Sequence, residues 1–188
     1  MRASIKNGRV AILLIVLTAN LWINLFSSSV AIAQPFGAGK YGANVPYGSA
    51  TSLTISTSGN VAISITPTDA GTLGTATNNV TITSTDVVGY QLYINSLSST
   101  DMTNGAYSIS ASANVTANPL SSNTWGYNTD ASSNFVGMTT SQVMIKNATG
   151  PFSSGDVTAV TYGVKVDNAK PAGNYSTTVV YTAVPQTN

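Results

Sequence analysis

Six aspartates are the only acidic side chains in the sequence, which contains no glutamate, histidine or cysteine. The groups that most often move protons or attack carbonyl carbons near neutral pH are therefore missing. With them go the Ser-His-Asp and Cys-His arrangements and any zinc site built from Cys or His. Paired carboxylates remain as a route to catalysis, as in glycoside hydrolysis. Yet Asp69, Asp86, Asp101, Asp130, Asp156 and Asp167 stand one at a time in turn-like stretches. Four of them follow a threonine, at Thr68-Asp69, Thr85-Asp86, Thr100-Asp101 and Thr129-Asp130, where Asx-turns account for the carboxylate. We expect no enzyme, no catalytic residue and no cofactor.

Two other groups of residues bear on binding. Asn128, Asp130, Ser132 and Asn134 offer oxygens at alternate positions, a faint echo of a calcium loop. The echo has one carboxylate and lacks the loop's glycine and terminal glutamate, so we read a solvated loop and no metal site. Trp125 and Tyr127, with Phe135 nearby, are the aromatics that fall in the least regular part of the chain. An aromatic platform stacks on sugar rings, so Trp125 and Tyr127 are the candidate ligand-binding residues of a carbohydrate-binding module. The competing reading makes Trp125 the anchor of a hydrophobic core, where large aromatics in strands usually sit.

The elements that must position these residues are strands. Leu53 and Ile55 alternate with Thr and Ser; Val61, Ile63 and Ile65 alternate with small or polar residues after a Ser58-Gly59-Asn60 turn. Val80 and Ile82 share a face of Asn79–Ser84. Val88, Tyr90, Leu92 and Ile94 share a face of Asp86–Asn95, followed by a loop over Ser96–Asn104 and a short strand at Tyr107 and Ile109. A period of two is the mark of a half-buried strand. Ala111–Asn123, with Pro119, is a weak edge strand or a long connection. Short runs follow at Trp125–Tyr127, Phe135–Val136 and Val143–Ile145. The clearest pattern is the last: Val160, Tyr162, Val164 and Val166 alternate, and after Asn168–Asn174 the chain returns in a β-branched run, Tyr175–Val184. We expect these two runs to form a terminal hairpin. No segment after residue 33 has a helical period. The expectation is an all-β fold, a Greek-key β-sandwich of about eight or nine strands, with a closed barrel as the alternative.

Of the 188 residues, the first 33 read as a signal peptide. Arg2, Lys6 and Arg9 precede an apolar run over 10–26, and Ala31-x-Ala33 fits signal peptidase. The alternative is an uncleaved segment that stays in the membrane as an anchor. Residues 34–50 read as a leader rich in glycine, with Phe36, Tyr41, Val45 and Tyr47 irregularly spaced, and 51–188 as the sandwich domain. The leader's other reading is a tether or donor strand to a neighbouring subunit. From residue 34 onward four lysines face six aspartates, with no arginine. No basic patch exists for phosphate contacts, so no nucleic-acid partner is expected.

The stretches FGAGKYGANVPYGSA, VTITSTDVVGYQLYINS, NTWGYNTD and YGVKVDNAKPAGNYSTTVVYTAV resemble small exported β-sandwich surface proteins of bacteria, notably of reduced-genome candidate phyla. The closing PAG-x-Y and long β-branched run is similar to endings seen in pilin-like, wall-attached and adhesin-like sandwiches. The resemblance implies a secreted or cell-surface location and a structural or adhesive role. It brings no catalytic motif and no residue to carry over. The expected partners are further copies of the chain, surface or wall components, or a glycan.

Overall fold

The computed structural model describes residues 51–186. The signal peptide and leader read from the sequence, 1–33 and 34–50, lie outside the described residues. Within them the chain is all-β, with nine strands in two sheets and no helix. The strands are β1 (Ser52–Thr57), β2 (Thr72–Thr85), β3 (Gly89–Ser96), β4 (Met102–Asn104), β5 (Tyr107–Ala111), β6 (Thr124–Asn128), β7 (Val143–Thr149), β8 (Asp156–Val166) and β9 (Val179–Gln186). The six-stranded sheet runs β1-β2-β8-β6-β5-β4 and the three-stranded sheet β7-β3-β9. Pairing is antiparallel except between β5 and β6, where Ser110 meets Thr124 and Ala111 meets Trp125 in parallel.

One hydrophobic cluster draws on both sheets. From the larger sheet come Val80 and Ile82 of β2 and Val160, Tyr162, Val164 and Val166 of β8; from the smaller come Tyr90, Leu92 and Ile94 of β3. These are the positions of period two, and burying each such side chain contributes about 1.5–3 kcal/mol. The outer face of the larger sheet has its own small core. Gly126 of β6 stands opposite Gly163 of β8. The bare backbone leaves a notch for the fully buried Phe135 ring, which a Cβ on Gly163 would approach to 2.6 Å. Phe135 is held there by paired backbone bonds to Asn118, and Val136 by paired bonds to Tyr127.

The structure corrects three expectations. The terminal hairpin does not exist. β8 lies between β2 and β6 in one sheet, while β9 pairs with β3 in the other. The connection, residues 167–178, is too long for a tight hairpin and leads from one sheet to the other. The run Tyr175–Val184 accordingly becomes a strand only from Val179. The expected loop at Ser96–Asn104 contains β4, which forms a hairpin with β5 through Gly105 in the left-handed region. Last, Val61–Thr66 is not a strand. Its burial alternates, as the sequence implies, but among the described residues its backbone joins no ladder.

Candidate functional site: an apolar groove beside β9

The unladdered segment forms one wall of a surface groove. After β1 the chain leaves the edge of β2. Ser58 N–H donates to the Asn79 carbonyl at 3.0 Å, and the Asn78 amide donates to the Gly59 carbonyl at 2.7 Å. Gly59, at φ +103°, makes the turn that an L-side chain resists. Residues 60–67 then run with Val61, Ile63 and Ile65 half-buried and Ala62, Ser64 and Thr66 exposed. Ile63 and Ile65 rest on Gly74 of β2, where a Cβ would lie within 2.6–2.8 Å of both side chains. A turn closed by Gly71 N–H to the Thr68 carbonyl, 2.9 Å, leads into β2.

The opposite wall is the crossing that ends in β9. Ser176 and Thr103 exchange backbone hydrogen bonds of 2.9 and 3.1 Å, fixing it to β4. Lys170 Nζ donates to the Ser108 carbonyl at 2.6 Å. Val179 and Tyr181 of β9 face the groove from this side, both half-buried, and the Tyr181 and Tyr162 hydroxyls meet at 2.6 Å. Burial pushes the Tyr162 phenol far above the usual range, with its neighbour Tyr181 adding to the effect. Burial also raises Tyr181, partly offset by the hydrogen bond with Tyr162. Both hydroxyls stay neutral at any physiological pH. The groove, open to solvent along one side, has a volume of about 890 Å³.

The candidate binding aromatics do not offer their rings to solvent. Trp125 is 0% exposed and lies at the floor of this groove, its indole N–H donating to the Thr100 carbonyl at 2.8 Å. Its ring tilts against Tyr162, centroids 6.4 Å apart. Tyr127, next inward residue on β6, is 5% exposed, and burial raises its pKa. A sugar-stacking platform requires an open ring face. β6 is hydrogen-bonded on both sides and covered, so the core reading of Trp125 is the one its surroundings match.

The calcium-like loop is tied together largely by its own hydrogen bonds, although the buried Asn128 Oδ1 has no partner among the described residues. The Asn128 amide donates to the carbonyls of Ser132 and Asn134, both at 2.9 Å, and Asp130 accepts from Ser132 N–H at 3.1 Å. That last bond is an Asx-turn, and it is the main cause of a lowered Asp130 pKa. Of the four Thr-Asp pairs only this one caps the backbone two residues on; Asp167 does the same for Ala169 without a threonine before it. No group of three potential metal-ligating side chains occurs among the described residues.

One carboxylate is set in a defined polar cluster. Asp156 accepts from Tyr90 Oη at 2.7 Å and from Lys146 Nζ at 2.7 Å. Burial pushes Asp156 up, but the Lys146 and Tyr90 hydrogen bonds and the Lys146 charge outweigh it and hold the carboxyl below the usual range. Burial and Asp156 together push Tyr90 upward. The trio joins β3, β7 and β8, tying the two sheets together at one point.

Sequence reasoning placed no site at the groove. Its signal was present in Val61, Ile63 and Ile65, whose alternation announces a buried face; what the pattern lacks is any sign that no strand lies alongside. The groove carries no carboxylate, and Lys170 is the one cationic side chain in its lining among the described residues. Chemically it can receive apolar side chains and, along its walls, extended backbone. No family model matches the chain, and comparison with curated proteins and with solved structures finds no match.

Proposed function

We propose that the chain is a non-enzymatic protein exported by the signal peptide 1–33 to the bacterial surface, where it acts in structure or adhesion by associating with copies of itself. The two sheets, in this reading, form a Greek-key β-sandwich. One observation supports it above others: among the described residues the edge strands β1, β7 and β9 are open, all four edge strands are almost uncharged, and only β4 is bridged, by Ser176. β1, β4 and β9 contain no charged residue, and the lysine of β7, Lys146, is taken up by Asp156. Proteins that must stay apart defend such edges with lysines, prolines or bulges, because an open edge is a template for another strand. Here Pro185 near the end of β9 and one register shift between β3 and β7 are the devices of that kind. Exposed Ile55 on β1 and Met144 on β7 add apolar contact at the rims.

The test is the size of the exported chain over a wide concentration range by light scattering, with electron microscopy of the same samples. Discrete oligomers or filaments are expected. A monomer at every concentration overturns the proposal.

A further inference from the structure

The groove offers what an added strand would use: apolar side chains and backbone along its two walls. Its first wall, 60–67, alternates in burial and has no ladder partner among the described residues. Its second wall ends in β9, which among the described residues pairs with β3 on one side only. Val61, Ile63 and Ile65 on one wall and Val179 and Tyr181 on the other remain half-exposed, although all five belong to the periphery of the core cluster. An added strand would cover these side chains and satisfy peptide groups on both walls at once, the mode of recognition known as β-strand addition. A small apolar ligand would do only the first.

Building on the self-association proposed above, we infer that the groove receives residues Tyr41–Tyr47 of a second copy of the chain. These residues lie outside the described ones, and their sequence supplies the pattern the groove calls for. Tyr41, Ala43, Val45 and Tyr47 alternate with Gly42, Asn44, Pro46 and Gly48. Phe36 falls out of phase and hides the alternation when the whole leader is scanned. The odd positions give one aromatic and aliphatic face to set on the floor above Trp125 and Val164. The even positions are small or polar, suited to solvent. Pro46 lacks an N–H and so forfeits one bond, to one neighbour only.

Delivery from a second copy follows from where the chain enters the fold. Ser52 pairs with Thr85, at the end of β1 remote from the groove, which opens beyond Thr57. β1 spans about 17 Å at 3.3–3.4 Å per residue. Residues 48–51 of the same chain would have to lie fully extended along the free side of β1 merely to bring Tyr47 to the mouth. β9 also lies close to β1. A neighbouring copy meets no such obstacle, and each copy carries one strand to give and one groove to fill, so the contact repeats head to tail.

The chain has no cysteine, so single cysteines can be introduced without side reactions. Two variants of the exported chain, Asn44→Cys and Ala62→Cys, are mixed and treated with a short bis-maleimide. The expected product is a heterodimer whose peptides join positions 44 and 62, present only in the mixture. A double variant carrying both cysteines is diluted and treated in the same way; cross-linking within one chain there, with none between chains in the mixture, overturns the inference. In parallel, Val45→Asp, outside the described residues, is expected to weaken self-association at least about tenfold while leaving unchanged the melting temperature of the domain at a dilution where the wild type is monomeric. If the wild-type chain associates but Val45→Asp associates equally and no 44–62 link forms, the groove inference fails and self-association through other edges stands. If the wild-type chain never associates, both fall.

Discussion

Trp125 holds the largest fully buried side chain, closed on the inner face by Tyr162 and capped by the Thr100 carbonyl. Trp125→Ala should therefore cost about 3–5 kcal/mol, read as a lowered midpoint in denaturant, and adding soluble glycans should leave the fluorescence of the wild-type protein unchanged. Asp156 gives a second prediction. Its folded pKa is depressed below the ordinary carboxylate value, so its contribution is complete above about pH 4 and is lost as pH falls through the lower, folded value. Asp156→Asn should lower the melting temperature at pH 7 and flatten its fall between pH 5 and pH 2 in thermal scans. A steep acid transition retained in the variant would assign it to other carboxylates. At this scale the sequence is informative about Trp125 through residue type alone, because a large aromatic in a strand usually sits in a core, even in the least regular part of the chain. It was silent about Asp156, whose partners Tyr90 and Lys146 come from two other strands and are set beside it only by sheet order.

Strands obey the alternation that builds them, but ladders depend on what lies alongside. β2, β3 and β8 show Val80, Ile82, Leu92, Ile94, Val160 and Val164 buried as their spacing requires. The same spacing at Val61, Ile63 and Ile65 yields a half-buried segment with no ladder, since a side chain's burial is a local matter and a backbone partner is not. Likewise two good strands near each other in sequence suggest a terminal hairpin, but the twelve residues between them lead from one sheet to the other. Two glycines test these elements. Gly163→Ala would drive a methyl into the Phe135 ring and should destabilise by about 1–3 kcal/mol in chemical denaturation. Gly74→Val would push Ile63 and Ile65 off β2. It should expose 60–67 to limited proteolysis while the central β2–β8 pairing persists in amide hydrogen exchange; protection lost uniformly would mean that the segment is integral to the sheet.

For the whole molecule, fold class was legible because nearly every residue after 51 votes for strand or turn, and sheet order was not, because it is decided by contacts between residues far apart in sequence. The scarcity of charge has a measurable counterpart. If copies associate through uncharged edges and an apolar groove, raising salt from about 0.05 to 0.5 M, which shortens the screening length severalfold, should leave the association constant within a factor of about three. A collapse of binding in salt would point to ion pairs at the interface. The sheet order itself carries a further consequence, one of timing. β2 occupies the second position of the larger sheet, yet its inner partner β8 is made of residues 156–166. Until those residues emerge, β2 has only the short, uncharged β1 to pair with, and the centre of the sheet cannot close. Loops of such length form late, and folds rich in distant pairings take milliseconds to seconds. The larger sheet thus cannot close its centre through most of the chain's own synthesis, and its completion waits on residues near the end of the described chain.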